Sequence, residues 1–394
     1  MNYRKSFPFF DTSDAVYLDS AATTQKPQQV LDAMQEYYTK YCANTHRSSH
    51  GMGNKATQKF EQAREKIANF IGAKYEEVIF TKGTTESINL LATAYVKKHF
   101  KTVIISELEH HANIVPWQLQ GFSQGAGLLV VPVTEDLLFD MSIFEKMVKE
   151  HPGSFVSVLQ VSNVSGTVFP IKEIITLAHE YECQVLIDGA QAVAHMSVDV
   201  KELDADFYAF SAHKMYGPTG VGALYGKKQL LGKMNPYQGG GAMIENVSFE
   251  KSDFLPPPHR FEAGTQPIAE VISFASAVDY LYGIGFERIK KHDQVLIHYA
   301  KEALRKIEGM QLFTSPDFTV GSLSFLIEGF NLNDLSILLD KQNIYLRAGH
   351  HCAMPIMQKL GLEGTLRVSF GIYNETKDID TLIQALEKAK ELLS

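Results

Sequence analysis

Two neighbouring stretches decide the reading of this chain: Val185-Leu186-Ile187-Asp188-Gly189-Ala190-Gln191-Ala192 and Phe207-Tyr208-Ala209-Phe210-Ser211-Ala212-His213-Lys214. Each contains a short apolar run without charge, the mark of a strand covered on both faces. Each run then leads to an ionisable side chain, Asp188 in the first and Lys214 in the second. Working outward, similar runs occur at Val78–Phe80, Val103–Ser106, Leu128–Val133, Phe155–Val161 and Val221–Tyr225. Helical periodicity lies between several of them, as in Ile171–Glu182. This alternation predicts an α/β fold whose large domain carries a mostly parallel, seven-stranded sheet with crossover helices.

Towards the N-terminus, Val16–Asp19 reads as a short strand. Pro27 then opens a helix bearing Val30, Met34, Tyr37 and Tyr41. A second helix runs from about Asn54 to Ile71, with Gly72 placed to cap it. Beyond Gly264 the texture changes. Helices near Ile268–Tyr282 and Phe286–Ile307 lead to an alternating strand, Ser322–Ile327, then a last strand, Leu366–Phe370, and a helix bearing Ile379, Leu382, Ile383, Leu386 and Leu393. The expected division is an N-terminal segment (1–20) packing with a smaller domain, a large domain (21–265) and a smaller C-terminal α+β domain (266–394).

Composition bounds the function. The chain has 394 residues, a net charge of −8, 45% hydrophobic and 21% charged residues. It can bury a large core, and global disorder is not expected. The acidic balance argues against a nucleic-acid surface. No apolar run reaches the roughly 18 residues of a membrane span, and Met1–Asp11 lacks the continuous apolar stretch of a signal peptide. Three cysteines, Cys42, Cys183 and Cys352, form neither a disulfide framework nor a zinc-type pair. We therefore expect no metal and a reducing, cytoplasmic setting.

In open parallel sheets ligands bind beyond the carboxyl ends of the strands, so the residues there carry the chemistry. After Val78–Phe80 come Thr81-Lys82-Gly83-Thr84-Thr85-Glu86-Ser87 and a helix. Thr84 and Thr85 at that helix start offer an anion site, although a plain helix cap uses the same residues. A carboxylate ending an apolar run, as Asp188 does, is costly unless paired or hydrogen-bonded; it suits a cationic ring nitrogen or a structural cap. Lys214 ends a buried strand, where a depressed pKa favours the neutral amine that forms a Schiff base. His110, in Glu107-Leu108-Glu109-His110-His111-Ala112-Asn113, is placed to lie over an aromatic cofactor, and Asn163 follows the strand at Phe155–Val161. Together these residues fit pyridoxal 5′-phosphate better than a dinucleotide, since no GxGxxG follows the first strands.

Asp19-Ser20-Ala21-Ala22, Glu109 to Asn113, Ile187 to Ala192 and Ser211-Ala212-His213-Lys214-Met215-Tyr216-Gly217-Pro218 resemble the motifs of a fold-type I pyridoxal-phosphate enzyme of aminotransferase class V. Arg347-Ala348-Gly349-His350-His351-Cys352-Ala353-Met354-Pro355 resembles the active-cysteine loop of the group II, SUF-type cysteine desulfurases. The resemblance implies a homodimer that takes sulfur from L-cysteine, leaving L-alanine and a Cys352 persulfide, which passes to an acceptor protein for iron–sulfur cluster assembly. It implies roles for Lys214 as Schiff-base lysine, Asp188 as pyridinium partner, His110 as stacking acid–base residue and Gln191 as partner of the phenolic oxygen. Thr84, Thr85, Ser211 and His213 would contact the phosphate, with Thr265 reaching it from the second subunit. Arg367, assisted by Asn163 and joined by Arg347, would bind the substrate carboxylate.

The residues themselves agree with these roles. A guanidinium in a strand, as at Arg367, suits a bidentate carboxylate contact or an ion pair with a neighbouring acid. Cys352 follows two histidines and Arg347, and such cations favour a thiolate. Cys183 and Cys42 read instead as small buried thiols. The segment from Gly239 to Pro258 reads as a hairpin at a dimer interface. Other readings are a selenocysteine lyase, a cysteine sulfinate desulfinase, a class V aminotransferase or, in a different class, a non-catalytic sulfur-relay scaffold.

Overall fold

The computed structural model describes residues 3–46 and 49–394. Seven strands form its central sheet: Val78–Thr81, Val103–Ser106, Gly127–Val131, Phe155–Leu159, Gln184–Asp188, Phe207–Ser211 and Gly222–Gly226. Their spatial order is first, seventh, sixth, fifth, fourth, second, third, and a two-residue strand, Ser123–Gln124, extends the far edge. The pairs are parallel except for those of Gly222–Gly226, which runs against both its neighbours. The chain turns back on itself around Val103–Ser106, which has the third strand on one side and the fourth on the other. Such a reversal leaves a crevice at the carboxyl ends. His110 and Asn163 follow the two strands that flank it.

The alternation of side chains along each strand divides the apolar residues between two cores. Ile104, Val156, Val158, Val185, Ile187 and Phe210 face one. Val103, Ile105, Phe155, Leu186, Phe207 and Ala209 face the other. Both faces are covered, which explains the uninterrupted apolar runs in the sequence. The helix Ile268–Ile284 packs against Gln28–Lys40 and Gly51–Phe70 and shares the first core, so the chain leaves the large layer through the next helix, Phe286–Leu304.

The smaller layer is an antiparallel sheet ordered Met310–Phe313, Ser322–Ile327, Thr365–Ser369, Arg347–Gly349, with its own core. Val16–Tyr17 pairs in parallel with Ile344–Tyr345, tying the N-terminal segment to this layer. Three of these strands, Met310–Phe313, Ile344–Tyr345 and Arg347–Gly349, were not expected from the sequence; they are too short to show a period. Ser322–Ile327 alternates as expected, yet its polar face is not solvated. Ser324 Oγ donates to the Val164 carbonyl at 2.6 Å, because that face packs on the large layer. The expected hairpin forms from Ile244–Val247 and Ser252–Phe254. Among the described residues, no single helix is long and apolar enough to cross a membrane.

A buried ion pair joins the large layer to the helix Phe286–Leu304. His195 Nδ1 lies 2.6 Å from Asp293 Oδ2, with the side chains 10% and 3% exposed. Burial alone would lower the histidine pKa, but Asp293 overrides it and the net direction is upward. A raised folded-state pKa stabilises fully below the unfolded value and is lost as pH rises through the folded value. Asp293→Asn is therefore expected to lower the melting temperature more at about pH 5.5 than at about pH 9. An equal loss at both values would show that the pair carries no charge-dependent stability.

Candidate active site

At the carboxyl ends of the strands lies a cavity of about 340 Å³. Its walls include Thr84, Thr85, His110, Asn163, Asp188, Gln191, Ser211, His213, Lys214, Arg347, Cys352 and Arg367. Of the residues singled out from the sequence, Thr265 alone stands apart. It is exposed and lines a separate cavity of about 570 Å³ with His46, His259 and Glu262. Tyr237 and Gln238 line hollows that adjoin both Thr265 and the Thr84–Thr85 turn.

The turn after Val78–Thr81 is held from the neighbouring strands. Ser211 Oγ accepts from the Thr84 N–H and meets Thr84 Oγ1, both at 2.9 Å. Gly83 sits at φ 147°, and a Cβ there would come 3.0 Å from Ser211 Oγ. Gly222 is closer still: a Cβ would fall 2.6 Å from Gly83 Cα. Glycine at both positions lets the backbones touch and sets the start of the helix Thr84–Leu91 at the cavity wall.

Lys214 follows the strand Phe207–Ser211 and makes no hydrogen bond or ion pair among the described residues. Burial drives its pKa down, only partly opposed by Asp188. Asp188 is 6% exposed and accepts one N–H, from Ala190 at 2.9 Å; its pKa is raised by burial. The lysine turn is anchored from the stretch before the helix Gln28–Lys40, since the His213 carbonyl accepts from Thr24 N–H at 3.0 Å and from Lys26 Nζ at 3.1 Å. Burial lowers Lys26 to about 8 and, with Lys214 and Lys26 nearby, His213 to about 4. Gln191 Nε2 donates to the Ala21 carbonyl at 2.8 Å.

His110 Nδ1 accepts from the Ala112 N–H at 3.0 Å, which fixes the ring and leaves Nε2 as its other nitrogen. Burial, then Lys214, His111 and Arg367, push its pKa down to about 3, so the imidazole is neutral. Beneath it lies Glu109, fully buried and raised to about 8 by burial. Glu109 accepts from Ser106 Oγ, Asn113 Nδ2 and the Leu159 N–H at 2.5, 2.7 and 3.0 Å. That network ties the His110 loop to two strand ends.

Cys352 is exposed at the cavity on a strained loop: His351 and Cys352 sit at φ 52° and 55°. The loop is clamped from the large layer. The His111 N–H donates to the Cys352 carbonyl at 2.7 Å, the Met354 N–H donates to His111 Nε2 at 3.0 Å, and Asn163 Nδ2 donates to the His351 carbonyl at 2.6 Å. His351 is neutral, pushed to about 3 by burial and by Arg367 and Arg347. The other thiols differ. Cys183 is buried, as expected, but Cys42 is exposed, contrary to expectation, because the helix Gln28–Lys40 ends before it and the chain runs out over the surface.

Arg367, 2% exposed, meets both descriptions that its sequence allowed. It lines the cavity, and it pairs with an acid: Nη2 lies 3.0 Å from Asp19 Oδ1. Its Nη1 donates to the Asn163 carbonyl at 2.8 Å, while Nε is buried without a partner among the described residues, as is Asn163 Oδ1. Arg347 pairs with the same carboxylate, Nη2 to Asp19 Oδ2 at 2.8 Å. Sequence reasoning gave no role to Asp19, Thr24, Lys26 or His111. Asp19 was visible only inside a motif, and the doubled histidine at 110–111 drew attention to its first member.

This arrangement belongs to a known family. The chain is a member of the aminotransferase class V family, whose profile matches residues 16–382. It is 44% identical to a probable cysteine desulfurase of Halalkalibacterium halodurans, covering 98% of this chain and 97% of that one. It is 43% identical to a cysteine desulfurase of Haloferax volcanii, over 98% and 91%. Its fold matches the crystal structure of the Escherichia coli cysteine desulfurase CsdA with a TM-score of 0.91 at 39% identity, covering 99% and 98% of the two chains.

Proposed function

We propose that this chain is a pyridoxal 5′-phosphate-dependent cysteine desulfurase that converts L-cysteine to L-alanine and leaves the sulfur on Cys352. The observation that carries this reading is one cavity lined by Lys214, Asp188, Arg367 and Cys352, which come from distant parts of the sequence. The residues fit the cofactor. Asp188 is a buried carboxylate with one N–H donor and no ion pair among the described residues, the environment a protonated ring nitrogen completes. Lys214 is a buried amine without a hydrogen bond, and Thr84, Thr85, Ser211 and His213 supply polar groups at a helix start for the phosphate. Gln191 and His110 would hold the ring. When bound, the cofactor supplies an electron sink next to the substrate α-carbon.

The chain's own residues do the rest. Arg367, with Asn163 and Arg347 beside it, binds the substrate carboxylate and orients the amino acid. Lys214, with its lowered pKa, accepts and returns the α-proton, and neutral His110 shares proton transfer from the cavity wall. Cys352 Sγ attacks the substrate sulfur. The substrate carbon–sulfur bond breaks, a sulfur–sulfur bond forms, and protonation of the remaining carbon gives alanine, so one thiol and one cysteine become one persulfide and one alanine. The persulfide passes to an acceptor protein serving iron–sulfur cluster assembly, as in SUF systems. The working form is a cytoplasmic homodimer in which Thr265 of each chain contacts the partner's cofactor phosphate and the hairpin Ile244–Val247/Ser252–Phe254 lies at the interface.

Incubation with L-cysteine is expected to yield alanine and a mass gain of one sulfur atom on the peptide containing Cys352. Cys352→Ala should retain the cofactor's absorbance but lose multiple turnover on cysteine by roughly a hundredfold or more. Full multiple-turnover activity in that variant would overturn the mechanism.

A further inference from the structure

The two adjacent histidines serve different sides of the cavity. His110 lines its wall, whereas His111 reaches the cysteine loop. The His111 N–H donates to the Cys352 carbonyl at 2.7 Å, and its Nε2 accepts from the Met354 N–H at 3.0 Å. Its ring also stacks on that of His350, with centroids 5.5 Å and planes 33° apart, and His350 Nδ1 accepts from the Cys352 N–H at 3.1 Å. His350 is exposed and His111 half-buried, so His111 is the better shielded anchor.

His111 is itself held from the sheet. It opens the short turn His111–Asn113, and the fully buried Asn113 donates to Glu109 Oε2 at 2.7 Å and to the Ser157 carbonyl at 3.1 Å. A chain of contacts therefore runs from a central strand through His111 to the thiol. The cysteine turn needs such a hold. His351 and Cys352 both occupy the left-handed region, where a residue with a Cβ persists only when its surroundings fix it.

We propose that His111 is a positioning residue: as an unprotonated acceptor at Nε2, its ring holds the Cys352 turn in the conformation that keeps the thiol at the cavity. The proposal rests on the reading of Cys352 as the residue that takes the sulfur. A protonated ring carries a donor at both nitrogens and would set one N–H against that of Met354. Burial, then His350, lowers the His111 pKa. The other ionisable groups on the surrounding elements are His110 on its own loop, Arg347, His351 and the Cys352 thiol on the cysteine loop, and Glu107 and Lys359, which pair with each other at 2.5 Å. A lowered folded-state pKa makes the hold complete above the ordinary histidine value, about 6.5, and the hold is lost as pH falls through the folded-state value.

The test compares the parent with His111→Phe, which keeps a ring but offers no acceptor, and with His111→Gln, whose amide oxygen can stand where Nε2 stood and cannot titrate. Amide exchange is measured in the peptide containing Cys352 and Met354, and the rate of the first sulfur transfer to Cys352 is measured beside KM for cysteine. In His111→Phe, exchange is expected to speed up about tenfold or more and the transfer to slow by about as much, with KM and the cofactor's absorbance within about twofold of the parent. His111→Gln should bring both back towards the parent values. Between about pH 7.5 and about pH 5, protection of that peptide, corrected for intrinsic exchange, should fall in the parent relative to His111→Gln. Parent-like exchange in His111→Phe, a KM that rises as far as the rate falls, no recovery in His111→Gln, or a pH response shared by the parent and His111→Gln would each overturn the proposal. If the parent moves no sulfur to Cys352, the desulfurase reading fails, and the exchange measurements still decide on His111.

Discussion

Lys214→Ala is expected to lower alanine formation from cysteine by about a thousandfold or more, even with excess cofactor present. The lysine stands in a cavity wall with no ion pair among the described residues, its pKa held down by burial and by Arg367, so it is an amine available for covalent and proton chemistry rather than a structural cation. A structural cation would be replaced by arginine. Lys214→Arg should therefore be as inactive as the alanine variant, and neither should show the parent's visible absorbance. Activity within about tenfold of the parent in either variant would remove Lys214 from the chemistry.

The second large effect concerns stability. Arg64, fully buried on the helix Gly51–Phe70, forms a fork with Glu262, Nη1 to Oε1 at 2.6 Å and Nη2 to Oε2 at 2.7 Å. Arg64 Nη1 also donates to the Val78 carbonyl, and Glu262 accepts from the Phe80 N–H. The pair thus joins the strand that feeds the Thr84 turn to the segment that carries Thr265. Arg64→Met leaves a buried carboxylate without its cation, at an expected cost of about 3–5 kcal/mol, seen as a clear fall in melting temperature. Adding Glu262→Leu to it should recover part of the loss, because the unpaired charge is gone. If the double variant melts lower than the single one, the uncompensated charge is not what destabilises it.

The large sheet was legible because its strands are covered on both faces. Burial removes charge from the runs, and Asp188 or Lys214 then stands out where each run opens into the cavity. The family motifs added Cys352 and Arg367. The smaller layer was harder, because strands such as Arg347–Gly349 carry too few residues to show a period. The partners of Arg367 were harder still. Asp19 reaches it only through pairing between the two ends of the chain, and nothing local to either residue announces that contact. Cys42 was misjudged for a related reason: a cysteine's burial depends on where its helix stops, not on its own chemistry. Thr265 lines a cavity apart from the main one, and the contact proposed for it, made from a second copy of the chain, has no signature in one sequence.

The pairing of Val16–Tyr17 with Ile344–Tyr345, continued by Asp19, Thr24 and Lys26 at the arginine and lysine turns, has a consequence for biosynthesis. Translation makes Val16, Tyr17 and Asp19 more than three hundred residues before their partners at 344–367. The parallel sheet can assemble before those residues appear, whereas the cavity closes only once Arg367 has emerged from the ribosome. A nascent chain arrested before that point would be largely folded yet inert.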